Sequence, residues 1–491
     1  MRQMLHSFRI LLVLTLIAVV FQLVKTNNTI AADASQKPKN IILMIGDGMG
    51  FNHYVAGAYW RYGEMGQQSA DSFPVYCGMT TARLQSGKSH TNNMKCYDPK
   101  MFWGGPKTAN VKIDLTEVTD SAAAATALYG GQKTSSGRMG MTPDKEPIKM
   151  AAETAHEKGK ATGAVSTMFT CHATPGAVWV ANSSRDRYEE IFNFMVRESG
   201  LDVIMGAGHP NYDSSAKLVN EDKIEYNQAG GEETWNEIVK NGGINGFQFI
   251  ETRKQFEQLA NATGDLPKKV LGIAHARTVI SPIDGQPSTC PADSKVAEKA
   301  IGKLNAKEIP SLSTMSIGAL KVLSQNENGF FVMIEGGNID GASHGKNSEL
   351  LMYEQAAFAK AIDAVVDWVE ENSNWDETLL IITADHETGY LWGDIDYVDT
   401  DGDGKFDAEK DEFKAYLPIE PGDCGNLPKM TFFSGSHTNS LVPLWAKGAG
   451  AEGIKKYFYG KDEKAGKMWG FSGDYIDNTH VGQFIIELLG N

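Results

Sequence analysis

The sequence predicts an α/β fold, a three-layer α/β/α sandwich built on a large, mostly parallel central sheet with loop insertions. Short continuous apolar runs, typical of strands that are buried on both faces, occur at 40–45, 161–168, 202–205, 269–273, 329–334 and 378–383. Helical patterns lie between them at 120–129, 185–198, 312–324 and 348–371. Because strands that alternate with helices form parallel sheets covered on both faces, these two observations predict the fold class.

Two polar stretches interrupt this alternation. One runs from about 209 to 267 and is rich in Asn, Gly and Glu, and the other runs from about 387 to 430 and is rich in Asp and Gly. Strand-like runs resume after each stretch, so we interpret both as insertions into one domain that spans 35–491.

Residues 1–34 have the order of a secretory signal peptide. Arg2 and Arg9 precede or border an apolar run at 10–24, and small residues up to Ala34 follow it. The pattern predicts a secreted or periplasmic protein. An uncleaved membrane anchor is the alternative, although the run is shorter than the ~20 residues that usually span a bilayer. No second apolar stretch of that length occurs, so we expect no stable membrane span in the mature chain.

The charge of the chain limits its partners. The formal net charge is −15, whereas nucleic-acid-binding surfaces are basic, so we expect no nucleic-acid partner. A phosphate substrate is still allowed, because bound metal ions can reverse the local field.

The five cysteines predict one or two disulfides and at least one free thiol. Cys77 and Cys96 are close in sequence, so a bridge between them is the first expectation for an exported protein, and a Cys290–Cys424 bridge is the second. We expect Cys171 to be a buried free thiol. No two cysteines have CxxC spacing, which argues against a thiolate zinc site.

Acidic and imidazole side chains follow the predicted strands at the points where the strands end. Asp47 follows the first strand, Glu335 and Asp340 follow the strand at 329–334, and Asp385 follows the strand at 378–383. Ligands bind at the carboxyl ends of strands in such sheets, and buried charged groups need a partner there.

Histidines accompany these carboxylates. His344 lies four residues after Asp340, His386 directly follows Asp385, and His437 is a further candidate. Carboxylate oxygen and imidazole nitrogen are ligands that zinc accepts. The set therefore predicts a metal site.

Ser121 begins a predicted alanine-rich helix, and Asp120 can cap that helix. A helix N-terminus offers free N–H groups to an anion, so the serine is well placed to meet a phosphate. An ordinary capped helix with no such role is the alternative.

Together these motifs resemble those of the alkaline phosphatase family, in the same order and over most of the chain. The matching pieces are Ile45-Gly46-Asp47-Gly48, Thr119-Asp120-Ser121-Ala122-Ala123, His172-Ala173-Thr174-Pro175, Arg185, Glu335-Gly336, Asp340 with His344, Thr383-Ala384-Asp385-His386 and His437-Thr438.

The resemblance implies hydrolysis of phosphate monoesters through a phosphoserine intermediate, with two zinc ions and one magnesium, in a homodimer. The ligands it implies are Asp340, His344 and His437 for the first zinc; Asp47, Asp385, His386 and Ser121 for the second; and Asp47, Thr174 and Glu335 for the magnesium. It also implies that Arg185 binds two phosphate oxygens, supported by the family's Arg-x-x-Tyr pattern at Tyr188; Arg187 is the alternative.

Two positions depart from the pattern of some members. His172 stands where some carry Asp, and we expect it near the magnesium and the substrate. Gly341 stands where some carry a large residue, which leaves the substrate range open. A diesterase or sulfatase of the same superfamily, and a phosphate- or calcium-binding protein without activity, are the alternative functions.

A calcium site is also predicted in the second insertion. Its carboxylates occupy positions 1, 3, 5 and 9 of an EF-hand-like loop and are Asp399, Asp401, Asp403 and Asp407. Position 12 is Lys410 instead of the usual Glu, so a solvated acidic loop is the alternative.

Overall fold

The computed structural model of the protein describes residues 36–89, 95–106, 113–291 and 307–490. A sheet of twelve strands forms the centre, in the order β11-β12-β2-β10-β9-β1-β8-β3-β4-β7-β6-β5. Its strands are β1 Asn40–Gly46, β2 Val75–Thr80, β3 Ala161–Phe169, β4 Val203–Ala207, β5 Gly243–Ile244, β6 Phe247–Ile250, β7 Val270–Ile273, β8 Phe330–Gly336, β9 Thr378–Thr383, β10 Val442–Gly448, β11 Gly460–Lys461 and β12 Asp474–Asp477.

The strands are mostly parallel, as the sequence predicts. Antiparallel pairs occur only where β10 lies between β9 and β2, and at the two ends of the sheet. The helices are α1 Phe51–Tyr62, α2 Pro99–Phe102, α3 Ser121–Gly130, α4 Ala151–Glu157, α5 Ala173–Gly176, α6 Tyr188–Arg197, α7 Gly231–Asn241, α8 Arg253–Ala260, α9 Leu312–Leu323, α10 Ile339–His344, α11 Ser348–Asn372, α12 Glu463–Trp469 and α13 Asn478–Gly490.

The register of the central strands brings their carboxyl ends to one level. Ile45 of β1 is paired with Glu335 of β8 on one side and with Thr383 of β9 on the other. All three strands are fully buried, which explains why each reads as a continuous apolar run. The chain therefore leaves the sheet at three adjacent points on the same edge.

The six predicted strands and four predicted helices are all present, with ends that differ by up to three residues. The strands that the sequence analysis missed include β2, β10 and β12, which are short, or contain Gly, Pro or Lys. Residues 209–267 contribute more than a loop, because α7, α8 and the two strands β5 and β6 lie there and extend the sheet at one end.

The stretch 387–430 carries no strand of the central sheet. It forms short antiparallel pairs and a hairpin of Asp394–Val398 with Glu412–Leu417. Aromatic side chains hold this hairpin to the body of the protein: Trp392 stacks on Tyr416 with ring centroids 4.4 Å apart, and both rings contact Phe102.

The cysteines correct one expectation. Cys290 and Cys424 form a disulfide, and Cys171 is a buried free thiol, as predicted. The predicted Cys77–Cys96 bridge is wrong, because neither cysteine is in a disulfide and both are buried. Cys77 lies inside β2, where its side chain packs in the core, so closeness in sequence does not bring the two sulfur atoms together.

The segment predicted to be a signal peptide, residues 1–34, lies outside the described residues. Among the described helices, none is both long and apolar enough to cross a membrane.

The disulfide gives a test of stability. It links residues 134 positions apart, so in the chain-entropy view it stabilises the fold by at most about 5 kcal/mol. We expect the double variant Cys290→Ser/Cys424→Ser to unfold at a clearly lower temperature than the oxidised wild type. Reductant should lower the unfolding temperature of the wild type and leave that of the variant unchanged. Equal unfolding temperatures for the two proteins would contradict the prediction.

Candidate metal and phosphate site

Loops at one edge of the sheet carry the predicted site residues. Asp47 follows β1, Glu335 lies at the end of β8, and Asp385 and His386 follow β9. The short pairing of Glu387–Thr388 with His437–Thr438 then brings His437 beside His386, and the two rings stack with centroids 3.6 Å apart.

Close approach between two of these loops requires a glycine. Gly48 has φ of +80°, and a Cβ on it would lie 2.6 Å from the Cα of Asp340. Only glycine fits this position without strain. The loop after β1 therefore touches α10, which carries Asp340 and His344.

The first group of ligand-type atoms consists of Asp340, His344 and His437. The two Nε2 atoms lie 3.0 Å apart, and each lies 3.3 Å from a carboxylate oxygen of Asp340. His344 Nδ1 is 2.8 Å from the carbonyl oxygen of Gly435, and His437 Nδ1 is 2.8 Å from that of Thr119. Both Nδ1 atoms must carry the proton, so in the neutral rings both Nε2 lone pairs face each other and the carboxylate.

This arrangement of acceptors fits a cation. Two lone pairs and a carboxylate repel one another unless a proton or a metal ion lies between them. A ligating histidine commonly donates its other N–H to a carbonyl, which fixes the tautomer seen here. Two nitrogens and an oxygen are a donor set that zinc accepts.

The second group consists of Asp47, Asp385 and His386. His386 Nε2 is 2.9 Å from Asp385 Oδ2, 3.6 Å from Asp47 Oδ1 and 3.4 Å from the hydroxyl oxygen of Ser121. The Thr388 hydroxyl donates to Asp340 and so accepts from His386 Nδ1, 3.3 Å away. The His386 Nε2 lone pair therefore also faces acceptors, and this group too fits a cation.

The third group surrounds Glu335. Its Oε2 accepts a hydrogen bond from the Ser166 hydroxyl. Its Oε1, the Thr174 hydroxyl and Asp47 Oδ1 are buried and have no hydrogen-bond partner. Buried polar atoms are rarely left in this state, so these oxygens indicate a bound cation with hard oxygen ligands.

The pKa values show what the buried carboxylates do when no cation is present. Burial, followed by the neighbouring carboxylates, raises the pKa of Asp47 well above its usual value, and burial is the main reason that the pKa of Glu335 rises to about 7. Without a metal ion, His344 and His437 take up a second proton at Nε2 and donate it to Asp340, and these hydrogen bonds outweigh burial and hold the pKa of Asp340 well below the usual range. The first two carboxylates would thus take up protons unless metal ions compensate their charge.

Ser121 is the first residue of α3, and Asp120 caps that helix. Asp120 Oδ1 accepts from the Ala123 N–H at 3.3 Å, and Oδ2 accepts from Arg185 at 3.1 Å. The second arm of Arg185 donates to His172 Nε2 at 2.9 Å. Burial and Arg185 lower the pKa of His172 to about 3, so the ring is neutral and can accept this bond. The guanidinium is thereby fixed close to the start of the serine helix.

The ligand-type residues of the site differ in their exposure to solvent. Asp47, Ser121, Glu335, Asp385 and His386 are buried. In the first group the exposed fraction rises to 15% for His437, 19% for Asp340 and 40% for His344. Among these ligand-type residues the site is therefore most open at His344.

Comparison with known proteins assigns the chain to a family. A sequence model of the family described as alkaline phosphatase matches residues 38–489. The chain belongs to the alkaline phosphatase family. It is therefore a phosphoric monoester hydrolase.

Curated relatives cover most of the chain. Alkaline phosphatase 3 of Bacillus subtilis is 28% identical over 402 residues, which are 78% of this chain and 69% of the relative. Alkaline phosphatase of Escherichia coli K12 is 27% identical over 383 residues, 72% of this chain and 71% of the relative. The human tissue-nonspecific isozyme is 24% identical over 393 residues, 72% of this chain and 64% of the relative.

Solved structures show the same fold. The alkaline phosphatase of the Antarctic bacterium TAB5 aligns with a TM-score of 0.56 and 22% identity, over 93% of this chain and 98% of that one. The Thermus thermophilus alkaline phosphatase aligns with a TM-score of 0.60 and 20% identity, over 93% and 92%.

Arg187, the alternative to Arg185, lies elsewhere. Its guanidinium is half-exposed and pairs with Glu190 at 3.2 Å. The predicted calcium loop brings Asp399, Asp401 and Asp403 within 4.8 Å of one another, all exposed.

The loop supplies its own cation to part of this acidic cluster. Lys410 Nζ lies 3.0 Å from Asp401 and 3.5 Å from Asp407. Calcium binding there stays a prediction.

Sequence reasoning missed the residues that orient the ligands. Thr388 and Ser166 are a threonine and a serine with no distinctive spacing, and only the folded chain shows that their hydroxyls bond to Asp340 and Glu335. Glu387 was missed too: it is buried, accepts from the Thr438 hydroxyl and so holds the His437 strand.

A second group of histidines and a carboxylate lies farther along the same edge, after β4, β6 and β7. His209 Nε2 is 2.9 Å and His275 Nε2 is 3.6 Å from Glu251 Oε2. Here the backbone N–H of Asn211 donates to His209 Nδ1, so Nε2 carries the proton and donates it to Glu251. This tautomer is the opposite of that in the first group, and it makes the cluster a hydrogen-bonded one. The bond from His209, followed by that from His275, lowers the pKa of Glu251 to about 2.

The role of Thr388 in fixing the His386 tautomer can be tested by mutation. Thr388→Val removes the hydroxyl that accepts from His386 Nδ1, so we expect zinc affinity to fall about 10- to 100-fold and excess zinc to restore much of the activity. Thr388→Ser keeps the hydroxyl and is the matched control. The measurement is zinc content per chain and turnover after dialysis against graded zinc. A Val variant with wild-type zinc content at every concentration would show that the hydroxyl does not orient His386.

Proposed function

We propose that this enzyme hydrolyses phosphate monoesters to an alcohol and inorganic phosphate through a phosphoserine at Ser121, with two zinc ions and one magnesium bound. One observation carries the proposal. The Ser121 hydroxyl lies at a helix N-terminus, 3.4 Å from a His386 nitrogen whose lone pair faces buried carboxylates. A serine, an anion-binding helix end and a metal-type ligand set thus converge on one point.

Donor chemistry supports a division of the metals among the three groups. Asp340, His344 and His437 would hold the first zinc, and Asp47, Asp385 and His386 the second. Asp47, Thr174 and Glu335 would hold the magnesium. When bound, the metal ions would lower the pKa of the serine hydroxyl and neutralise charge on the leaving oxygen.

His172 bears on the identity of the third metal. It forms a potential ligand group with Asp47 and Glu335, and its buried Nδ1 has no hydrogen-bond partner. Imidazole suits zinc better than magnesium, so this position favours some zinc at the third site. Metal analysis after loading the protein with zinc or with magnesium shows which ion the third site prefers.

The first chemical step needs a nucleophile, a group that binds the phosphate and a leaving group. The Ser121 oxygen attacks phosphorus and forms the O–P bond, while the bond to the leaving alcohol breaks on the opposite side. Arg185 offers two parallel N–H groups to two phosphate oxygens, a geometry that matches phosphate well. The free N–H groups at the start of α3 add to the binding of the anion.

The second step reverses the first with water in place of the alcohol. Water attacks the phosphorus of the phosphoserine, the Ser121 O–P bond breaks, and inorganic phosphate leaves by the exposed part of the site. Arg185 holds the phosphoryl group in both steps, because Asp120 and His172 fix the guanidinium from two directions.

We also propose export to the periplasm or outside the cell, assembly as a homodimer, and calcium binding in the Asp399–Asp407 loop. The basic and apolar order of residues 1–34, the family resemblance and the acidic spacing support these three points. Mass spectrometry of the mature N-terminus, sedimentation at micromolar concentration, and melting with and without calcium test them in turn.

The nucleophile has a direct test. Ser121→Ala should lower turnover at least about a thousandfold, because it removes the attacking oxygen. Metal content should stay at the wild-type value, and acid quenching with labelled substrate should give no labelled protein. Ser311→Ala, at the start of α9, is the control for serine removal at a helix end. Labelled Ser121→Ala protein would contradict the assignment.

The phosphate grip is tested by comparing two nearby arginines. Arg185→Ala should raise KM and the inhibition constant of inorganic phosphate about 10- to 100-fold, since two charge-assisted hydrogen bonds are lost. Arg187→Ala should change neither value, because that side chain pairs with Glu190 at the surface. Steady-state kinetics with phosphate as inhibitor gives both numbers. A rise of both constants in Arg187→Ala but not in Arg185→Ala would show that Arg187 binds the phosphate instead.

A further inference from the structure

Lys346 lies at the end of α10 in a conformation that lysine rarely adopts. Its φ is +49°, in the left-handed region. Its N–H donates to the Ser343 carbonyl at 3.0 Å, and the next N–H, of Asn347, donates to the Ala342 carbonyl at 2.8 Å. These two bonds form a Schellman motif in which the left-handed position is usually glycine.

A glycine is available one residue earlier but does not take that position. Gly345 has φ of −75°, an ordinary helical value. Lysine therefore bears a conformational cost that glycine would avoid. Strain of this kind concentrates at functional sites, which directs attention to what the side chain does.

The side chain extends over the loop that orients His344. Lys346 Cε lies 3.6 Å from the position that a Cβ on Gly435 would occupy. The carbonyl oxygen of Gly435 is the acceptor for His344 Nδ1. Lys346 is exposed and its Cε lies beside this loop, so the side chain borders the exposed part of the site at His344.

No carboxylate of the described segments forms an ion pair with Lys346, although the chain has a net charge of −15. The two arginines considered for phosphate binding differ in this respect. Arg185 pairs with Asp120, and Arg187 pairs with Glu190. The charge of Lys346 is therefore free to act on a bound molecule.

The direction of the reaction places the leaving alcohol near this lysine. In an in-line displacement the nucleophile and the leaving oxygen lie on opposite sides of phosphorus. Ser121 is buried beside His386, so the alcohol points away from these residues, toward the exposed part of the site where His344 lies, next to Lys346.

We propose that Lys346 is a specificity residue that contacts a second anionic group, a carboxylate or a further phosphate, on the leaving alcohol. The proposal rests on the proposed phosphomonoesterase activity. It predicts that the enzyme prefers phosphate monoesters whose alcohol carries a second anionic group over those whose alcohol is uncharged.

The test compares phenyl phosphate with 4-carboxyphenyl phosphate and with 1,4-phenylene bisphosphate. Lys346→Gly removes the charge and relieves the left-handed strain, so we expect an equal or higher unfolding temperature. It should lower kcat/KM for the two anionic substrates about two- to fivefold relative to phenyl phosphate, the size expected for an exposed charge pair. The effect should shrink as salt is raised.

Two further variants separate charge from structure. Lys346→Arg should keep the preference. Lys268→Ala removes an exposed lysine just before β7, at the opposite edge of the sheet, and should leave all three substrates unchanged.

The outcomes separate the two proposals. Loss for one anionic substrate alone identifies which group Lys346 contacts. Equal loss for all three substrates, or no loss for any, overturns the specificity role, and a fall in unfolding temperature for Lys346→Gly would show that the lysine stabilises the helix end instead. Wild-type enzyme that turns over none of the substrates would refute the proposed function itself.

Discussion

Buried negative charge at one end of the sheet is the constraint on which the rest of this structure depends. Asp47, Glu335 and Asp385 lie at the ends of three adjacent strands and are fully buried, within reach of one another. Taking such groups out of water is costly without compensating positive charge. Arg185 is one basic side chain in contact with the site, and it is already paired with Asp120. The apolar strands and the tight loops thus hold carboxylates whose negative charge requires bound cations.

The histidines indicate how that charge is compensated. Backbone carbonyls hold the Nδ1–H of His344 and His437, and the Thr388 hydroxyl holds that of His386. In each ring the lone pair is turned toward carboxylates. The cluster at His209 uses the same residue types at the same edge of the sheet, but there a backbone N–H reverses the tautomer. The position of the ring proton, which the hydrogen-bond partner of Nδ1 decides, separates a set of metal-type ligands from a hydrogen-bonded cluster.

Much of this could be predicted from the sequence, and the reason is physical. Strands buried on both faces leave long apolar runs, so the place where each run ends marks the edge of the sheet, and Asp47, Glu335 and Asp385 follow from that. The parts that were missed depend on distant segments. Thr119 and Gly435 contribute only carbonyl oxygens, which any residue type supplies, and β5 and β6, with two and four residues, are too short to stand out within the polar stretch 209–267.

The distribution of the cysteines has a consequence for how the chain reaches its folded state. Three thiols are enclosed in the core, and the two that pair are the last two in sequence. In an oxidising compartment an extended chain offers all five to one another, and the pair closest in sequence, Cys77 and Cys96, would meet most often. The folded chain has no bridge between them, so such a bridge would be non-native. Because the sheet neighbours of β2 are β10 and β12, from the C-terminal part of the chain, Cys77 is enclosed only after those strands have joined the sheet, so the order of sheet closure and thiol oxidation becomes a determinant of yield.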